Sequence, residues 1–485
     1  MRVLYVDVDS LRPMHLGCYG YHRRTSPTVD ALAARGVTFT NCYVSDAPCL
    51  PSRTAFALGR FGIRSGVVGH GGLASEPFPL GSRRGFSGAP GFETLFQAFR
   101  RAEHYPCAIT PFPNRHVAPW YTLGLREWHN PGKGGFELAH EVNAIAEPWL
   151  ETHAHEENWF LAVNYWDAHA PYRTPLEYGN PFADDPPPAW HTQELLESNW
   201  HSYGPNGAQD APGVWANDHR RDDVPRQIKT LEDYKRWIDP FDTGIRYFDD
   251  HLARLLNTLE RRGVLDDTLI VISADHGEAQ GEHNVYGDHQ LADSLTCRVP
   301  FVASGPGFHG GRVNHGLHYQ FDLMAAVLET AGGRMPEAWD ARSPRAAWNR
   351  GVDGGRDALV VSQMAWTYQR SVRWGDHLMT RTYHDGFKHL PDIALYNVIQ
   401  DPHELHDLAP SRPDLVGEGL RTLEAWHFEM LRGSPAPDPI DPMQIALREG
   451  DPWQVRGRLP WYLNRLRATD RAQHAIALEQ RHNRS

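Results

Sequence analysis

The chain has 485 residues, of which 41% are apolar, and this length is enough for two or three folded domains. Its 16 Trp, 18 Tyr and 19 Phe argue against intrinsic disorder. Its formal net charge of −12 argues against a nucleic-acid partner that needs a broad basic face. No apolar run approaches the roughly 20 residues that span a bilayer, and no export signal is visible, so we expect a cytoplasmic protein that does not bind membranes.

Predicted strands and helices alternate through the first 345 residues. Runs of β-branched and aromatic residues predict buried strands at 2–8, 37–43, 106–109, 159–165, 268–273 and 299–303. Capping residues and apolar spacing predict helices at 29–35, 52–58, 92–102, 137–152, 241–262 and 321–331. This alternation favours an α/β fold with a mostly parallel sheet that is flanked by helices on both faces.

The rest of the chain has a different pattern. Residues 184–223 are rich in Pro, Trp, His and Asn without periodicity, which indicates a lid-like insertion or a surface excursion. Residues 343–357 have a loop-like composition. Short strands then follow at hairpin-like spacing, before a helix at 413–431, and the strands are predicted at 359–363, 368–372, 377–382 and 394–397. We therefore expect an α/β domain at 1–345 and a smaller C-terminal α+β subdomain at 356–485.

Polar residues follow several of the predicted strands. They are Asp7 and Asp9, Asp167 and His169, and Asp275 and His276. In open parallel sheets, ligands bind beyond the carboxyl ends of the strands. We therefore expect these side chains to converge on one pocket.

Residues 49–53 read CLPSR and residues 58–60 read LGR. This sequence resembles the C-x-P-S-R motif of type I sulfatases and its continuation, and similarity to that family extends over most of residues 2–410. The run DHGE at 275–278 also resembles a family element that follows a core strand. The resemblance implies an alkaline-phosphatase-like α/β fold. It also implies that Cys49 is oxidised to formylglycine by a formylglycine-generating enzyme, its partner during maturation.

The resemblance further implies one divalent metal ion, usually calcium, held by Asp9, Asp275, His276 and the modified residue 49. Oxygen-rich ligand sets suit calcium or magnesium. Where sulfatases often carry a second acid, this chain has Ser10, so that either Ser10 or Asp7 would complete the site. Because calcium is scarce in the cytoplasm, magnesium and manganese remain alternatives.

Other residues receive roles from the same resemblance. Arg53 is expected to hold oxygens of formylglycine or sulfate, and Arg115 to clamp sulfate. His169, in a His-x-Pro sequence, is expected to protonate the leaving oxygen, and His116 to act as the base for the second formylglycine hydroxyl. His289 lies near the position at which many sulfatases carry a sulfate-binding lysine, and we expect it to take that place.

The function that follows is hydrolysis of a sulfate ester of a small molecule or saccharide. A carbohydrate is favoured by the Trp content and by residues 184–223. One alternative is a phosphonate monoester or phosphodiester hydrolase with the same formylglycine nucleophile. Another is a catalytically silent binding protein in which Cys49 stays unmodified. The sequence leaves open the choice between O-sulfate and N-sulfate, as well as the oligomeric state.

Overall fold

The structure is a computed structural model that describes residues 1–77, 93–211, 223–433 and 440–482. Residue 92 of one predicted helix and residues 212–222 of the predicted insertion lie outside this part of the chain. Within the described residues, no helix has both the length and the apolar character needed to cross a bilayer.

A nine-stranded, mostly parallel sheet forms the centre of the molecule. Eight strands follow one another across the sheet, and they are Arg298–Val299, Val37–Tyr43, Phe301–Ser304, Thr268–Ser273, Arg2–Val8, Trp159–Tyr165, Tyr105–Ile109 and Glu127–His129. The ninth strand, Arg312–Tyr319, pairs in parallel with Val37–Tyr43. Arg2–Val8 lies between two parallel neighbours, Thr268–Ser273 and Trp159–Tyr165. The strands on which the predicted site depends are thus adjacent.

A second sheet has five strands, four of which come from the C-terminal part of the chain. In spatial order they are Ile393–Asn397, His377–His384, Tyr368–Trp374, Ala358–Gln363 and Asp46–Ala47. Asp46–Ala47 pairs in parallel with Ala358–Gln363. Because Asp46–Ala47 ends two residues before Cys49, the small sheet directly supports the segment that carries the cysteine. A separate two-stranded ribbon joins Ala279–Gln280 to Tyr286–Asp288.

Helices pack against the two sheets and against one another. The longer ones are Pro27–Arg35, Cys49–Leu58, Ala139–His153, Gln193–His201, Leu231–Arg261, Gln320–Thr330, Pro413–Arg432, Leu459–Arg467 and Ala472–His482. The shorter ones are Gly62–Ser65, Leu95–Arg101, Phe112–Arg115, Ser294–Cys297, Arg345–Trp348 and Pro442–Arg448. Single 3-10 turns lie at Pro13–His15, Gly17–Tyr19, Leu73–Ser75, Pro119–Thr122, Leu176–Tyr178 and Glu282–Asn284. The predicted α/β class with a mostly parallel, helix-flanked sheet is confirmed.

Some predicted bounds are wrong. The strand predicted at 299–303 is two strands on either side of Pro300, which has no N–H to donate, and both pair antiparallel. The helix predicted from 241 begins at Leu231, because a Thr230 capping box starts it and Pro240 lies inside it. The regions 184–223 and 343–357 each contain a helix, Gln193–His201 and Arg345–Trp348.

The helix Cys49–Leu58 is buried along all ten residues. It was predicted to begin at Ser52, but Pro51 is accommodated in the first turn, where backbone N–H groups have no helical partner. The helix ends at Gly59, whose φ of 59° lies in the left-handed region. A Cβ on this residue would lie 2.3 Å from the Trp339 ring. The sequence motif is therefore the start of a fully buried helix rather than a surface loop.

Lys388, in the loop after the strand His377–His384, is a buried cation with 2% exposure. Its Nζ donates a hydrogen bond to the carbonyl of Pro205 at 2.6 Å. Burial lowers the pKa of Lys388 from its ordinary 10.5 to about 7, against the opposing effect of Asp288. Below pH 7 the lysine is charged in both the folded and the unfolded chain, and the folded protein bears the full cost of the buried charge.

We expect Lys388→Met to gain stability relative to wild type at pH 6.5 and to lose most of that gain by pH 10. Between the two pKa values only the unfolded chain keeps the proton, so the wild type becomes more stable as the pH rises. The advantage of Lys388→Met over wild type in unfolding free energy should therefore shrink by about 4 kcal/mol between about pH 6.5 and pH 10. Urea unfolding at a series of pH values measures it. The exposed Lys229→Met should show no such trend, and a pH-independent difference for Lys388→Met would contradict the assignment.

Candidate active site

The site lies at the carboxyl ends of the central parallel strands. Asp9 follows the strand Arg2–Val8, and Asp275 follows the strand Thr268–Ser273. The backbone N–H of Asp9 donates to the carbonyl of Tyr165 at 2.9 Å, which fixes the start of the loop. The Ser52 hydroxyl donates to the carbonyl of Asp275 at 2.5 Å and joins the CLPSR helix to the same edge. Pairing of adjacent strands therefore brings together residues that are more than 200 positions apart.

Arg53 lies among three buried carboxylates. Its Nε donates to Asp7 Oδ2 at 2.9 Å, and its Nη1 donates to Asp9 Oδ2 at 3.0 Å. Nη1 also lies 2.9 Å from Asp275 Oδ2. All four side chains are almost fully buried. Arg53 is expected to hold oxygens of formylglycine or sulfate, and the structure places its guanidinium group in contact with all three carboxylates.

The charges in this cluster do not balance. With all three carboxylates ionised, the single guanidinium group leaves two negative charges in excess among side chains that are almost fully buried. Burial raises the pKa of Asp275 well above its usual range, and Asp9 and Asp7 add to the rise. Burial acts in the same direction on Asp9, but Arg53 and the nearby histidines outweigh it, and the pKa of Asp9 falls below its usual range. An excess of this sign and size is what a divalent cation neutralises.

The donor set fits such an ion. Ligand atoms of Asp9, Cys49, Asp275 and His276 all lie within 4.8 Å of one another. Among the described residues, Asp275 Oδ2 is paired with the Arg53 guanidinium at 2.9 Å but accepts no well-aligned hydrogen bond. The Nδ1 of His276 is 2.9 Å from the carbonyl of Gly277, so it carries the proton and leaves Nε2 as a free lone pair facing the cluster. Two carboxylates and an imidazole nitrogen are suitable ligands for a hard divalent ion.

The two candidates for completing the ligand set differ in position. The Ser10 hydroxyl donates to Asp9 Oδ1 at 3.1 Å, and the Ser10 N–H faces Asp275 Oδ1 at 3.4 Å. Ser10 therefore lies against both predicted metal ligands. Asp7 is paired with Arg53 and accepts a hydrogen bond from Asn164 at 3.2 Å. Asp7 thus lies on the far side of the guanidinium group, and the geometry favours Ser10.

Cys49 is the first residue of its helix, and its thiol faces the cluster. Sγ lies 3.1 Å from His276 Nε2. Burial raises the pKa of the Cys49 thiol well above its usual range, and the charges of Asp9 and Asp275 raise it further. A thiol that stays protonated near neutral pH is a weak nucleophile. Unmodified Cys49 is therefore poorly suited to attack a substrate.

His169 and His289 lie beside Asp9 and His276. The Nδ1 of His169 donates to the carbonyl of Ala170, which leaves Nε2 3.9 Å from Asp9 Oδ1. The His289 ring centroid lies 4.1 Å from that of His276 and 5.7 Å from that of His169. Burial lowers the pKa of His169 to about 4 and that of His289 well below its usual range. Both rings are therefore neutral near pH 7.

Arg115 and His116 lie at the end of a short helix beside the cluster. The Arg115 guanidinium lies 4.8 Å from the centroid of the Trp166 ring. The His116 ring lies 5.1 Å from that of His70, and Nε2 of His116 is buried without a hydrogen-bond partner among the described residues. Burial, reinforced by His70 and Arg115, lowers the pKa of His116 well below its usual range. The ring is thus a neutral imidazole with an unused nitrogen.

His70 is a residue that sequence reasoning missed. Its Nε2 accepts a hydrogen bond from the backbone N–H of Leu50 at 3.3 Å, next to Cys49. Its Nδ1 contacts the Gln454 amide at 3.2 Å, which ties the site to the C-terminal part of the chain. Burial lowers the pKa of His70 to about 3, and the neighbouring His276 and Arg115 act in the same direction. The sequence around His70 contains no motif that indicates a functional residue, since residues 66–69 are Gly and Val.

Glu278, the last residue of the DHGE run, is part of the support for the site. It accepts a hydrogen bond from the Tyr172 hydroxyl at 2.8 Å and from the Gln280 amide at 3.0 Å. Burial raises its pKa to about 8. Glu278 therefore fastens the loop that carries His169 to the loop after Asp275.

Comparison with known proteins adds independent information. A family model described as Sulfatase matches residues 2–333. Iduronate 2-sulfatase of Mus musculus is 24% identical over 408 residues, which cover 73% of this chain and 65% of that protein. The chain therefore spans just under two thirds of the length of that relative.

Two solved structures share the fold. One is a protein in complex with its substrate D-glucosamine-2-N,6-O-disulfate, with a TM-score of 0.68 at 17% identity, covering 90% of this chain and 99% of that chain. The other is the phosphonate monoester hydrolase SpPMH from Silicibacter pomeroyi, with a TM-score of 0.66 at 18% identity and coverages of 91% and 96%. The predicted alkaline-phosphatase-like architecture is confirmed. Since the family model extends over about two thirds of its residues, the chain belongs to the sulfatase family.

Proposed function

We propose that this protein is a sulfuric ester hydrolase that uses residue 49, converted to formylglycine, as its nucleophile. The observation that carries the proposal is the position of Cys49. It stands at the start of a buried helix, and its Sγ lies within 4.8 Å of ligand atoms of Asp9, Asp275 and His276. The membership of the sulfatase family supports the same conclusion. Maturation would require a formylglycine-generating enzyme as a partner.

The metal site would consist of Asp9, Asp275, His276 and the oxygen of modified residue 49. A divalent ion bound there would supply positive charge to the oxygens of a sulfate ester. Calcium is favoured by the carboxylate ligands, with magnesium and manganese as alternatives. Arg53 would keep its pairing with Asp7 and offer its remaining donors to the anion. Arg115 and His289 would contact sulfate oxygens from the other sides.

Residue 49 gives the reaction a route that Ser or Cys lacks. The hydrated aldehyde has two hydroxyls on one carbon. One hydroxyl would release its proton to solvent as its oxygen bonds to sulfur and the bond from sulfur to the alcohol oxygen breaks, and His169 would give a proton to the departing oxygen. His116 would then take the proton of the second hydroxyl. The carbonyl re-forms, the bond between the residue 49 carbon and the sulfate oxygen breaks, and sulfate leaves.

His169 must hold a proton on Nε2 to act as this acid. In the free protein its Nδ1–H already donates to Ala170, and the lowered pKa keeps Nε2 unprotonated. The negative charge of a bound sulfate ester, close to His169, would raise its pKa and favour the imidazolium form. The acid therefore becomes available when substrate is bound.

A sulfated carbohydrate is the substrate class we favour. A similar protein, iduronate 2-sulfatase, is named for a sulfated sugar, and one protein of the same fold was solved with a sulfated glucosamine as its substrate. The position of the sulfate on the sugar stays open. A sulfamate on nitrogen would meet the same sulfur-directed attack, with nitrogen as the leaving atom.

A substrate panel tests the reaction type. With calcium-loaded protein that has been co-produced with a formylglycine-generating enzyme, we expect kcat/KM for 4-nitrophenyl sulfate to exceed that for bis(4-nitrophenyl) phosphate and 4-nitrophenyl phenylphosphonate. The ratio should be at least about tenfold, or about 1.4 kcal/mol in transition-state free energy. Cys49→Ala protein serves as the blank. A preference for either phosphorus ester would contradict the proposal.

That opposite result would support the second candidate, a phosphonate monoester or phosphodiester hydrolase. Two observations favour keeping it as a candidate. The phosphonate monoester hydrolase SpPMH shares the fold to nearly the same extent as the sugar-sulfate protein. Ser10 also replaces the second acid that sulfatases often carry, which changes the charge beside the metal site. A lack of turnover with every ester, together with an unmodified Cys49, would instead favour a silent binding protein.

A further inference from the structure

A row of guanidinium groups and aromatic rings leads from the buried acid cluster toward the surface. The distances from guanidinium carbon to ring centroid are 5.1 Å for Arg53 to Trp166, 4.8 Å for Arg115 to Trp166, 5.8 Å for Arg115 to Phe136 and 4.9 Å for Arg173 to Phe136. Arg53 is 3% exposed, whereas Phe136 is 40% exposed. The row therefore connects the site with solvent.

In the part of the chain that the structure describes, the hydrogen bonds of Arg115 and Arg173, at the outer part of this row, go to backbone carbonyls. Arg115 Nη1 donates to Gly134, and Arg173 Nη2 donates to the adjacent Gly135. Arg173 Nη1 also donates to Pro171 at 3.1 Å. Within the described ranges neither arginine forms an ion pair with a carboxylate, and the Nε of each is buried without a hydrogen-bond partner. Arg53 differs, because it is paired with three acids.

Two unpaired cations beside one ring repel each other. Burial lowers the pKa of Arg173, Asp167 opposes this effect, and Arg115 adds to it. Asp167 and Glu137 offset the repulsion only in part, because Oδ1 of Asp167 accepts from the N–H of Ala139, burial raises the pKa of Asp167 to about 7, and Glu137 accepts from the N–H groups of Lys133 and Gly135. An anion placed between the two guanidinium groups would remove the repulsion, and each planar group can bind two oxygens at once.

We propose that Arg173 binds a second anionic group of the substrate, a carboxylate or a second sulfate, and that Arg115 lies between this group and the cleaved sulfate and contacts both. The inference rests on the proposed function and extends it, since it assigns the substrate at least two negative groups. Arg173 is four residues after His169, and its charge acts on that histidine, so the subsite would lie near the group that is expected to protonate the leaving oxygen. Arg173 is thus a specificity-determining residue.

Binding to the inactive Cys49→Ala protein tests this directly. The probes are phenyl sulfate, the 2-, 3- and 4-carboxyphenyl sulfates and the three benzene disulfates, so that a second carboxylate or sulfate is presented in every position around one ring. By calorimetry with calcium present, we expect at least one two-anion probe to bind about tenfold more tightly than phenyl sulfate, and which probe it is distinguishes carboxylate from sulfate. Adding Arg173→Gln to the Cys49→Ala protein should abolish that gain in affinity and change the Kd for phenyl sulfate by no more than about twofold.

Controls separate a binding role from a structural one. Arg173→Lys keeps the charge without the planar fork and should restore part of the gain. Arg100→Gln, at an exposed helical arginine, should change nothing. The inference would be overturned if Arg173→Gln weakened the binding of phenyl sulfate as much as that of the two-anion probe. It would also be overturned if no two-anion probe bound more tightly than phenyl sulfate. Failure of the matured wild-type protein to hydrolyse any sulfate ester would contradict the proposed function instead, because the binding series needs no turnover.

Discussion

Replacing Cys49 with alanine should abolish turnover, with kcat falling on the order of 10⁶-fold, because the reaction loses its nucleophile and no other side chain can form the covalent ester. The fold should be unaffected, since alanine is a good helix former and Cys49 is a helical residue. Hydrolysis of 4-nitrophenyl sulfate measures the activity, and urea unfolding measures the stability.

Cys49→Ser separates the aldehyde mechanism from a simple nucleophile. A serine hydroxyl could be sulfated once but has no second hydroxyl with which to expel the sulfate, so we expect at most one turnover. Cys18→Ala, at a half-buried cysteine outside the cluster, should keep full activity. Sustained turnover by Cys49→Ala would show that the covalent mechanism is wrong.

Asp275→Asn should remove the bound divalent ion and lower kcat by roughly 10³-fold or more, because a bound cation contributes several kcal/mol to transition-state stabilisation. The substitution keeps the shape of the side chain but takes one negative charge from the cluster around Arg53. Elemental analysis after gel filtration should find about one ion per wild-type chain, as one octahedral or larger oxygen-rich site would hold, and close to none in the variant.

The matched control is Asp376→Asn, at an exposed aspartate between the strands Tyr368–Trp374 and His377–His384, which should keep both the ion and the activity. Unfolding of the apo protein adds a second readout. Because Asp275→Asn relieves repulsion among carboxylates, the metal-free variant should be at least as stable as the metal-free wild type. A variant that keeps a full complement of metal would contradict the assignment of Asp275.

The strands that build the site could be predicted from sequence. The runs at 2–8, 159–165 and 268–273 are continuous apolar strands of the kind found in parallel sheets, and their predicted bounds match the structure. Because such strands end at one edge, the convergence of Asp9 and Asp275 followed from their positions alone. The identity of the chemistry came from residues 49–53 and from the resemblance that they carry.

Contacts that depend on tertiary structure were not predictable in this way. The pairing of Arg53 with three carboxylates is one of these. The local sequence around a helical arginine does not show whether its side chain faces solvent or a buried acid. His70 is another, because it approaches Leu50 only after the chain has turned back on itself. The row of rings and guanidinium groups through Trp166 likewise joins separate loops, and no periodicity connects them.

The small sheet shows a similar limit. Its four C-terminal strands were predicted from hairpin-like spacing, but the pairing with Asp46–Ala47 was not. Two-residue strands carry too little pattern to be recognised, and parallel pairing between distant segments leaves no local signal. That pairing is nevertheless what places the C-terminal part of the chain directly beside the segment that carries Cys49.

The mass of the peptide that contains residue 49 tests the central claim most directly. Trypsin should release residues 36–53 from the protein co-produced with a formylglycine-generating enzyme, and this peptide also contains Cys42 as an internal control. After thiol alkylation we expect Cys42 to be alkylated and residue 49 to be an aldehyde, about 18 Da lighter than an unmodified cysteine residue. A peptide in which both cysteines are alkylated, from protein that hydrolyses sulfate esters at full rate, would contradict the account.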